Sequence, residues 1–317
     1  MDEFDIIRQY FQRESTDENV IVGIGDDGAV TRPVSKFDLV TVIDTMVAGI
    51  HFPPSLNAAD IAYRAVAVNL SDIAAMGATP KWMTLALTLH DADPAWLDDF
   101  SRGLFEAADE HDVALIGGDT TRGDEMVVTV QVAGEIKPGD ALLRSGASAG
   151  ESIYVTGSVG DAAAGLSILQ SGAPRNDDIN YLVQRFARPQ ARVELGRALS
   201  GVATAAIDLS DGLFTDIEKL LTASDVSGVI ELNEIPLSAQ LSATMSEEDA
   251  LRFALGGGDD YELGFTSSAS ADTIKAIADE FNVTVTRIGV VGKGEGLACT
   301  LNGKPHKYSH DGYRHFH

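Results

Sequence analysis

The sequence predicts a two-domain α+β protein, and three observations lead there. The chain has 317 residues, beyond the size at which one hydrophobic core usually stops growing. Strand-like and helix-like stretches mix along it without the strict β-α-β alternation of a doubly wound fold. Near the middle, KPGDALLRSGASAGE (residues 137–151) supplies the proline, glycine and serine punctuation of a domain junction. The expected domains are residues 1–138 and 150–317.

Each element follows from its local pattern. GIGDDGAV, residues 23–30, fits G-x-G-x-x-G through Gly23, Gly25 and Gly28, but a dinucleotide fingerprint needs a helix directly after it. Here AVTRPVSKFDLVTVID follows, proline-containing and β-branched, which predicts a turn into a strand at about 38–44. Asp26 and Asp27 then stand where phosphates would lie, an arrangement that a bridging divalent cation makes favourable. NAADIAYRAVAVNLSDIAAMG reads as a helix over 57–76, with Asn57 as N-cap, Asp60 as an acidic capping-box partner and Gly77 as the stop. At about 100° per residue, Asp60, Arg64 and Ser71 share the expected wet face, while Asn69 and Asp72 fall inside the apolar arc. A carboxylate there costs several kcal/mol unless it is paired or metal-bound.

The alternating WMTLALTL predicts a strand at 81–89, and Asp93–Pro94 opens a helix over 94–111. Strands at 113–117 and 126–135 complete the first half. The second half opens with the strand ESIYVTG. An alanine-rich helix follows from about 159, with further helices near 189–200 and 212–223. Strands are expected near 204–207, 227–232, 261–266, 284–291 and 297–301. VTGSVGDAAAG (155–165) lacks the G-K-[ST] of a Walker loop, and Ser158 with Asp161 reads as a capping-box-like helix start.

Composition narrows the function. Acidic residues outnumber basic ones 48 to 23, for a net charge of -25, and no basic stripe offsets that field. Nucleic acid and anionic membranes are therefore excluded as partners. No apolar run reaches the length of a membrane span, and the acidic, amphipathic MDEFDIIRQYF is unlike a signal peptide, so a cytoplasmic protein is expected. The single cysteine, Cys299, excludes an intrachain disulfide and a cysteine-built zinc site.

Beyond GIGDD, five places set aspartates at the ends of apolar segments or among glycines: Asp44, Asp72, Asp119, the pair Asp208 and Asp211, and the pair Asp259 and Asp260. One such aspartate is ordinarily a turn or a cap. Six such places suit oxygen ligands converging on metal and phosphate. Arg144, in LLRSGA, fits either a phosphate clamp or an interdomain ion pair.

Taken in order, GIGDD, DTMVAGIHF, AVNLSDIAAMGA, IGGDTTRG, LLRSGA, YVTG, IDLSDGL, GGGDDYEL and the closing GYRHF resemble the thiamine-monophosphate kinases. These belong to the aminoimidazole ribonucleotide synthetase-like superfamily of ATP-using enzymes. The resemblance runs nearly end to end and implies a homodimer whose N-terminal domains build a shared β-barrel, with a C-terminal α/β sandwich completing an aspartate-lined cleft. It implies ATP as co-substrate and several Mg²⁺ ions, with Asp27, Asp44, Asp72, Asp119, Asp208 and Asp211 as metal ligands. It further implies Gly118, Asp119, Arg144 and Ser210 as ATP contacts, and His51, Asp259 and Tyr313 as contacts of thiamine monophosphate.

From their residues alone, His51 reads as a packed loop histidine and Tyr313 as a docking aromatic. Two positions depart from the family. Val42 and Ile43 precede Asp44 where a hydroxyl residue is common, and Asp259 stands where glutamate is usual. The implied reaction passes the γ-phosphoryl group of ATP to thiamine monophosphate, giving thiamine diphosphate. Its acceptor is an already ionised phosphate oxygen, so no side-chain nucleophile or base is expected. The alternatives are an aminoimidazole ribonucleotide synthetase-like ligase and a non-catalytic acidic protein that binds divalent cations.

Overall fold

The computed structural model describes residues 3–13, 17–24 and 29–308. It divides into two compact units, one running to Ile73 and resuming over Ala78–Gly139, the other made of Ala74–Gly77 and the chain from Asp140 onward.

Unit 1 begins with a short helix α1 (Glu3–Ile6) continuing into a π-helical turn Ile7–Phe11, then a small ribbon of β1 (Val20–Val22) and β2 (Val30–Thr31). Downstream of the glycine-rich segment the chain thus enters a strand, not a helix. Residues 25–28, including Asp27, lie outside the described residues. A four-stranded sheet follows, built from β3 (Asp38–Val47), β4 (Thr79–Leu89), β5 (Ala114–Arg122) and β6 (Val127–Ile136) in the order β3-β6-β4-β5. β4 and β5 are parallel and the other pairs antiparallel. Helix α2 (Ala58–Ala75) precedes β4, and helix α3 (Pro94–Asp109) makes the β4-to-β5 crossover. The Asp93 side chain caps α3 by accepting from the Ala95 amide at 2.9 Å, with Pro94 first in the helix.

The sheet is open, with β3 and β5 as its edges; among the described residues the strands close no barrel. One face of the sheet is covered, and the outward face alternates in register. Along β3, Leu39, Thr41, Ile43 and Thr45 are exposed while Met46 is buried. Glycine sets how closely the helices approach: a Cβ on Gly103 of α3 would lie 2.0 Å from the Ala59 carbonyl oxygen of α2. The wet face expected on the 57–76 helix does not exist. Asp60, Arg64 and Ser71 are buried along with Val66, Leu70 and Ile73, so α2 is enclosed on all sides, as helices at the centre of a domain are.

Unit 2 holds a seven-stranded sheet of β7 (Ser152–Thr156), β8 (Ala205–Asp208), β9 (Ser227–Glu231), β10 (Leu263–Ser267), β11 (Val285–Gly292), β12 (Gly296–Leu301) and β13 (Lys304–His306). Its order is β13-β12-β9-β11-β7-β10-β8, parallel only between β9 and β12. The helices are α4 (Asp161–Ser171), α5 (Asp177–Ala187), α6 (Val193–Leu199), α7 (Leu213–Ala223), α8 (Ala239–Thr244), α9 (Glu247–Gly256) and α10 (Ala271–Glu280). Ile153, Val155, Ile207, Ile230 and Ile288 of the sheet pack against Ile217 and Leu220 of α7 and Leu255 of α9. Each such side chain contributes about 1.5–3 kcal/mol on burial. On the opposite face Tyr154 and Phe265 stack with centroids 5.2 Å apart. A second cluster joins Ile168 of α4, Leu182 of α5 and Leu241 of α8.

Candidate active site

In unit 1, Asp44 on β3 is hydrogen-bonded to Asp72 on α2, and His51 lies close enough to act on Asp44 by its charge. Burial pushes the Asp44 carboxyl above the usual aspartate value, an effect partly offset by the bond to Asp72 and by His51. Two carboxyl groups bond to each other only through a shared proton. A hard divalent cation with oxygen ligands fits the same place, since it removes the repulsion without that proton. His51 is oriented by its own loop: its Nδ1 accepts from the Val47 amide at 3.0 Å and its amide donates to the Val47 carbonyl at 3.0 Å. With Nδ1 an acceptor, the ring proton of neutral His51 sits on Nε2. Ile43, 65% exposed, faces away from Asp44, as strand alternation requires.

Gly118 and Asp119 lie on β5, paired with Leu85 and Ala86 of β4. The register runs Asp119, Ala86, Thr129, Thr45 across the sheet, so exposed Asp119 shares the outward face with Thr45. Asp44 lies on the other face at the far edge, about 14 Å away at three strand spacings; the two do not meet within unit 1. A register irregularity between Met83 and Thr84 precedes Gly117, and a Cβ on Gly118 would sit 1.9 Å from the Leu85 carbonyl oxygen. The glycine is demanded by β4. Just beyond Asp119, a cavity of about 360 Å³ is lined by Leu89, His90, Asp91, Thr120, Thr121 and Arg122, with Ile6 and Ala92. It lies at the carboxyl ends of the parallel pair, where ligands of open α/β sheets bind. His90 carries no motif signal, and Arg122, the arginine of IGGDTTRG, was given no role from the sequence; the crossover places both there.

In unit 2 β8 ends at Asp208, the loop after it carries Ser210 and Asp211, and the loop 256–261 lies against it. The Asp259 amide donates to the Ser210 carbonyl and the Tyr261 amide to the Leu209 carbonyl, both at 2.9 Å. Gly258 is so close that a Cβ would lie 2.0 Å from the Ser210 carbonyl oxygen. The fold therefore brings Asp208, Ser210, Asp211 and Asp259 together from positions fifty residues apart. Asp211 already faces a cation: Lys219 Nζ donates to Asp211 at 2.5 Å and to buried Asp216 at 2.8 Å, while Asp216 accepts from the Asp211 amide at 2.9 Å. Burial pushes the Asp216 carboxyl up and Lys219 pulls it back. Arg144 is exposed, on a segment fixed by bonds from the Ala206 amide to the Leu143 carbonyl (2.9 Å) and from Ser224 Oγ to the Arg144 carbonyl (3.1 Å).

Behind these loops is a buried charge network that the sequence did not reveal. Glu262, fully buried, accepts from Arg185 at 2.7 Å, from Arg192 at 2.7 and 2.6 Å, and from Thr156 Oγ1 at 2.6 Å. Asp260, 3% exposed, accepts from the Gly160 and Ala162 amides at 2.6 and 3.1 Å. This corrects the expected start of α4. Its N-cap is Gly160, which has no capping side chain. Ser158 bonds to the Asp161 carboxylate at 2.5 Å, and the free amides are met by Asp260 from the other end of the unit.

Tyr313, like Asp27, lies outside the described residues. Among the described residues no three histidine, cysteine, aspartate or glutamate side chains converge tightly enough to hold an ion by themselves. Within unit 1, Asp44 stands with Asp72 and Asp119 lies apart on the outward face; within unit 2, Asp208 and Asp211 share one strand-to-helix connection.

Comparison with known proteins gives these groups a lineage. The family model for the AIR synthase related protein, N-terminal domain, matches residues 25–136, and that for the C-terminal domain matches residues 148–302. The thiamine-monophosphate kinase of Escherichia coli (strain K12) is 46% identical over 319 residues, covering 99% of this chain and 98% of its own. The crystal structure of thiamine-monophosphate kinase from Stenotrophomonas maltophilia K279a superposes with a TM-score of 0.87 at 41% identity, covering 92% of this chain and 93% of that one. AaThiL complexed with AMPPCP and TMP superposes at 0.80 and 31% identity, with 92% of each chain covered. With both domains of the AIR synthase related fold and kinship along its full length, the chain belongs to the thiamine-monophosphate kinase family.

Proposed function

We infer that this chain phosphorylates thiamine monophosphate with ATP, giving thiamine diphosphate and ADP. The observation that carries this reading is the 46% identity to a thiamine-monophosphate kinase over 99% of the chain. The acceptor oxygen is ionised at neutral pH, which accords with the absence of any nucleophile-and-base pair from the residues argued above. Asp44 and Asp72 would hold magnesium in unit 1, and Asp119, Asp208, Asp211 and Asp27 further ions. Such ions supply charge neutralisation between two polyanions that the chain's net charge of -25 would otherwise repel. In this reading the exposed Arg144 clamps phosphate bidentately, and Gly118, Asp119 and Ser210 are further contacts of ATP. His51, Asp259 and Tyr313 are, in this reading, the contacts of the acceptor. An ion at Asp211 would compete with Lys219 for the same carboxylate.

The homodimer is part of the same reading. The outward face of the unit 1 sheet, with Leu39 half exposed, Ile43 at 65% and the unpaired edge β3, suits a second copy that extends the sheet into a barrel. No helix among the described residues is long and apolar enough to cross a membrane.

The test is purified protein with ATP, Mg²⁺ and thiamine monophosphate, the product read by chromatography. Thiamine diphosphate is expected. Turnover of formylglycinamidine ribonucleotide instead would favour the ligase, and calorimetric Mg²⁺ binding without nucleotide binding would favour the non-catalytic protein. Sedimentation should give twice the chain's mass of 33.5 kDa.

A further inference from the structure

Two residues that flank Asp260 are in left-handed backbone conformation without being glycine: Asp259 at φ +73° and Tyr261 at φ +51°. Such conformations persist only where the surroundings enforce them, and they concentrate at sites of function. The enforcing contacts are visible on both sides. Outward, the loop is held to the strand-to-helix turn at Leu209 and Ser210 by the two amide bonds and by the close approach of Gly258. Inward, the Asp260 carboxylate grips the first turn of α4 through the Gly160 and Ala162 amides, and Glu262 is fixed by two arginines and a threonine. The chain therefore alternates: Asp260 and Glu262 point into the unit, and Asp259 and Tyr261 point away, with Tyr261 Oη donating to Asp259 at 3.4 Å.

We infer that Asp260 is a positioning residue for the acceptor substrate, its buried carboxylate locking α4 to the 256–261 loop so that Asp259 is presented in its left-handed conformation. Asp260 does not touch substrate; it acts through Asp259. The inference rests on the reading of Asp259 as a contact of thiamine monophosphate. Asparagine at 260 keeps the size but offers one acceptor to two amides and turns its own N–H groups towards the second.

The test compares steady-state kinetics of Asp260→Asn, Asp259→Ala and Ile274→Ala, the last a buried residue of α10 outside the cluster that joins α4, α5 and α8. Asp260→Asn should raise KM for thiamine monophosphate about tenfold, with kcat and KM for ATP within about threefold. Ile274→Ala should lower the melting temperature at least as much and leave both KM values unchanged. If Asp259→Ala raises KM and Asp260→Asn does not, the positioning role is wrong while the contact stands. If Asp259→Ala leaves KM unchanged, the contact itself falls and the inference with it. Amide exchange on the wild type gives a check that needs no variant. Thiamine monophosphate should slow exchange at 160–162 and 257–262 together, and protection of the loop alone would overturn the lock.

Discussion

Replacing Glu262 with glutamine tests the buried network where it is most concentrated. The carboxylate has no solvent exposure and accepts four hydrogen bonds, three of them from guanidinium groups. Removing one partner of a buried ion pair costs about 3–5 kcal/mol, because the opposite charge is left desolvated. Arg185 retains Asp161, with Nε 3.8 Å from Oδ2, which moves the expectation towards the lower end. For a unit of this size, each kcal/mol shifts the melting temperature by roughly 2–4 °C, so Glu262→Gln should melt about 6–12 °C lower in calorimetry at pH 7.

The pH dependence has a definite sign. Burial alone would raise the Glu262 carboxyl, but the charges and hydrogen bonds of Arg192 and Arg185 and the bond from Thr156 take it below the ordinary glutamate value of 4.5. A depressed folded value means that the stabilisation is complete above that ordinary value and is lost as pH falls through the folded one. The gap between wild type and Glu262→Gln should therefore narrow in acid. A gap below about 1 kcal/mol at pH 7, or one that widens in acid, refutes the account.

Asp72→Asn and Asp119→Asn should each abolish turnover while leaving the melting temperature of the metal-free protein within about 2 °C; near-normal rates in either would remove that residue from the metal ligands. Gly103→Ala should cost about 1–3 kcal/mol in urea unfolding, because its Cβ meets the Ala59 carbonyl at 2.0 Å, and an unchanged midpoint would mean that α2 and α3 separate freely. Burial pushes the Cys299 thiol up to about 11, so it should ignore disulfide reagents at pH 8 until the chain is unfolded. The same shift stabilises the native state below the ordinary thiol value, and that contribution is lost as pH rises towards 11.

What could be read in advance followed range of interaction. The strands of unit 1 announce themselves because alternation is a property of neighbours, and Asp93–Pro94 marks the start of α3 within two residues. Helix α5 shows Ile179, Leu182, Val183 and Phe186 at helical spacing after the Asn176 cap, a signal masked by its charged surface. Helix α10 buries only Ile274 and Ala278, too few to announce a face. The wet side assigned to α2 failed because periodicity reports one stripe and is blind to what packs on the other. Of the site, the Asp44–Asp72 encounter was foreshadowed by a carboxylate in an apolar arc. Lys219 against Asp211 and Asp260 on α4 were not, since eight and roughly a hundred residues separate the partners. Gly118 illustrates the reverse: its motif suggested nucleotide, and the closeness of Leu85 explains the glycine without one.

The last turn of α2 belongs to the other unit. Ala74–Gly77 group with the chain after Asp140: Met76 accepts from the Leu142 amide at 3.1 Å, and a Cβ on Gly196 would lie 2.1 Å from the Ala74 carbonyl oxygen. No single scission can then yield both lobes whole. A break at the 137–151 junction strands four residues of the downstream lobe on the upstream fragment, and lobe exchange between relatives at that junction would transplant a helix end without the surface it was shaped to meet.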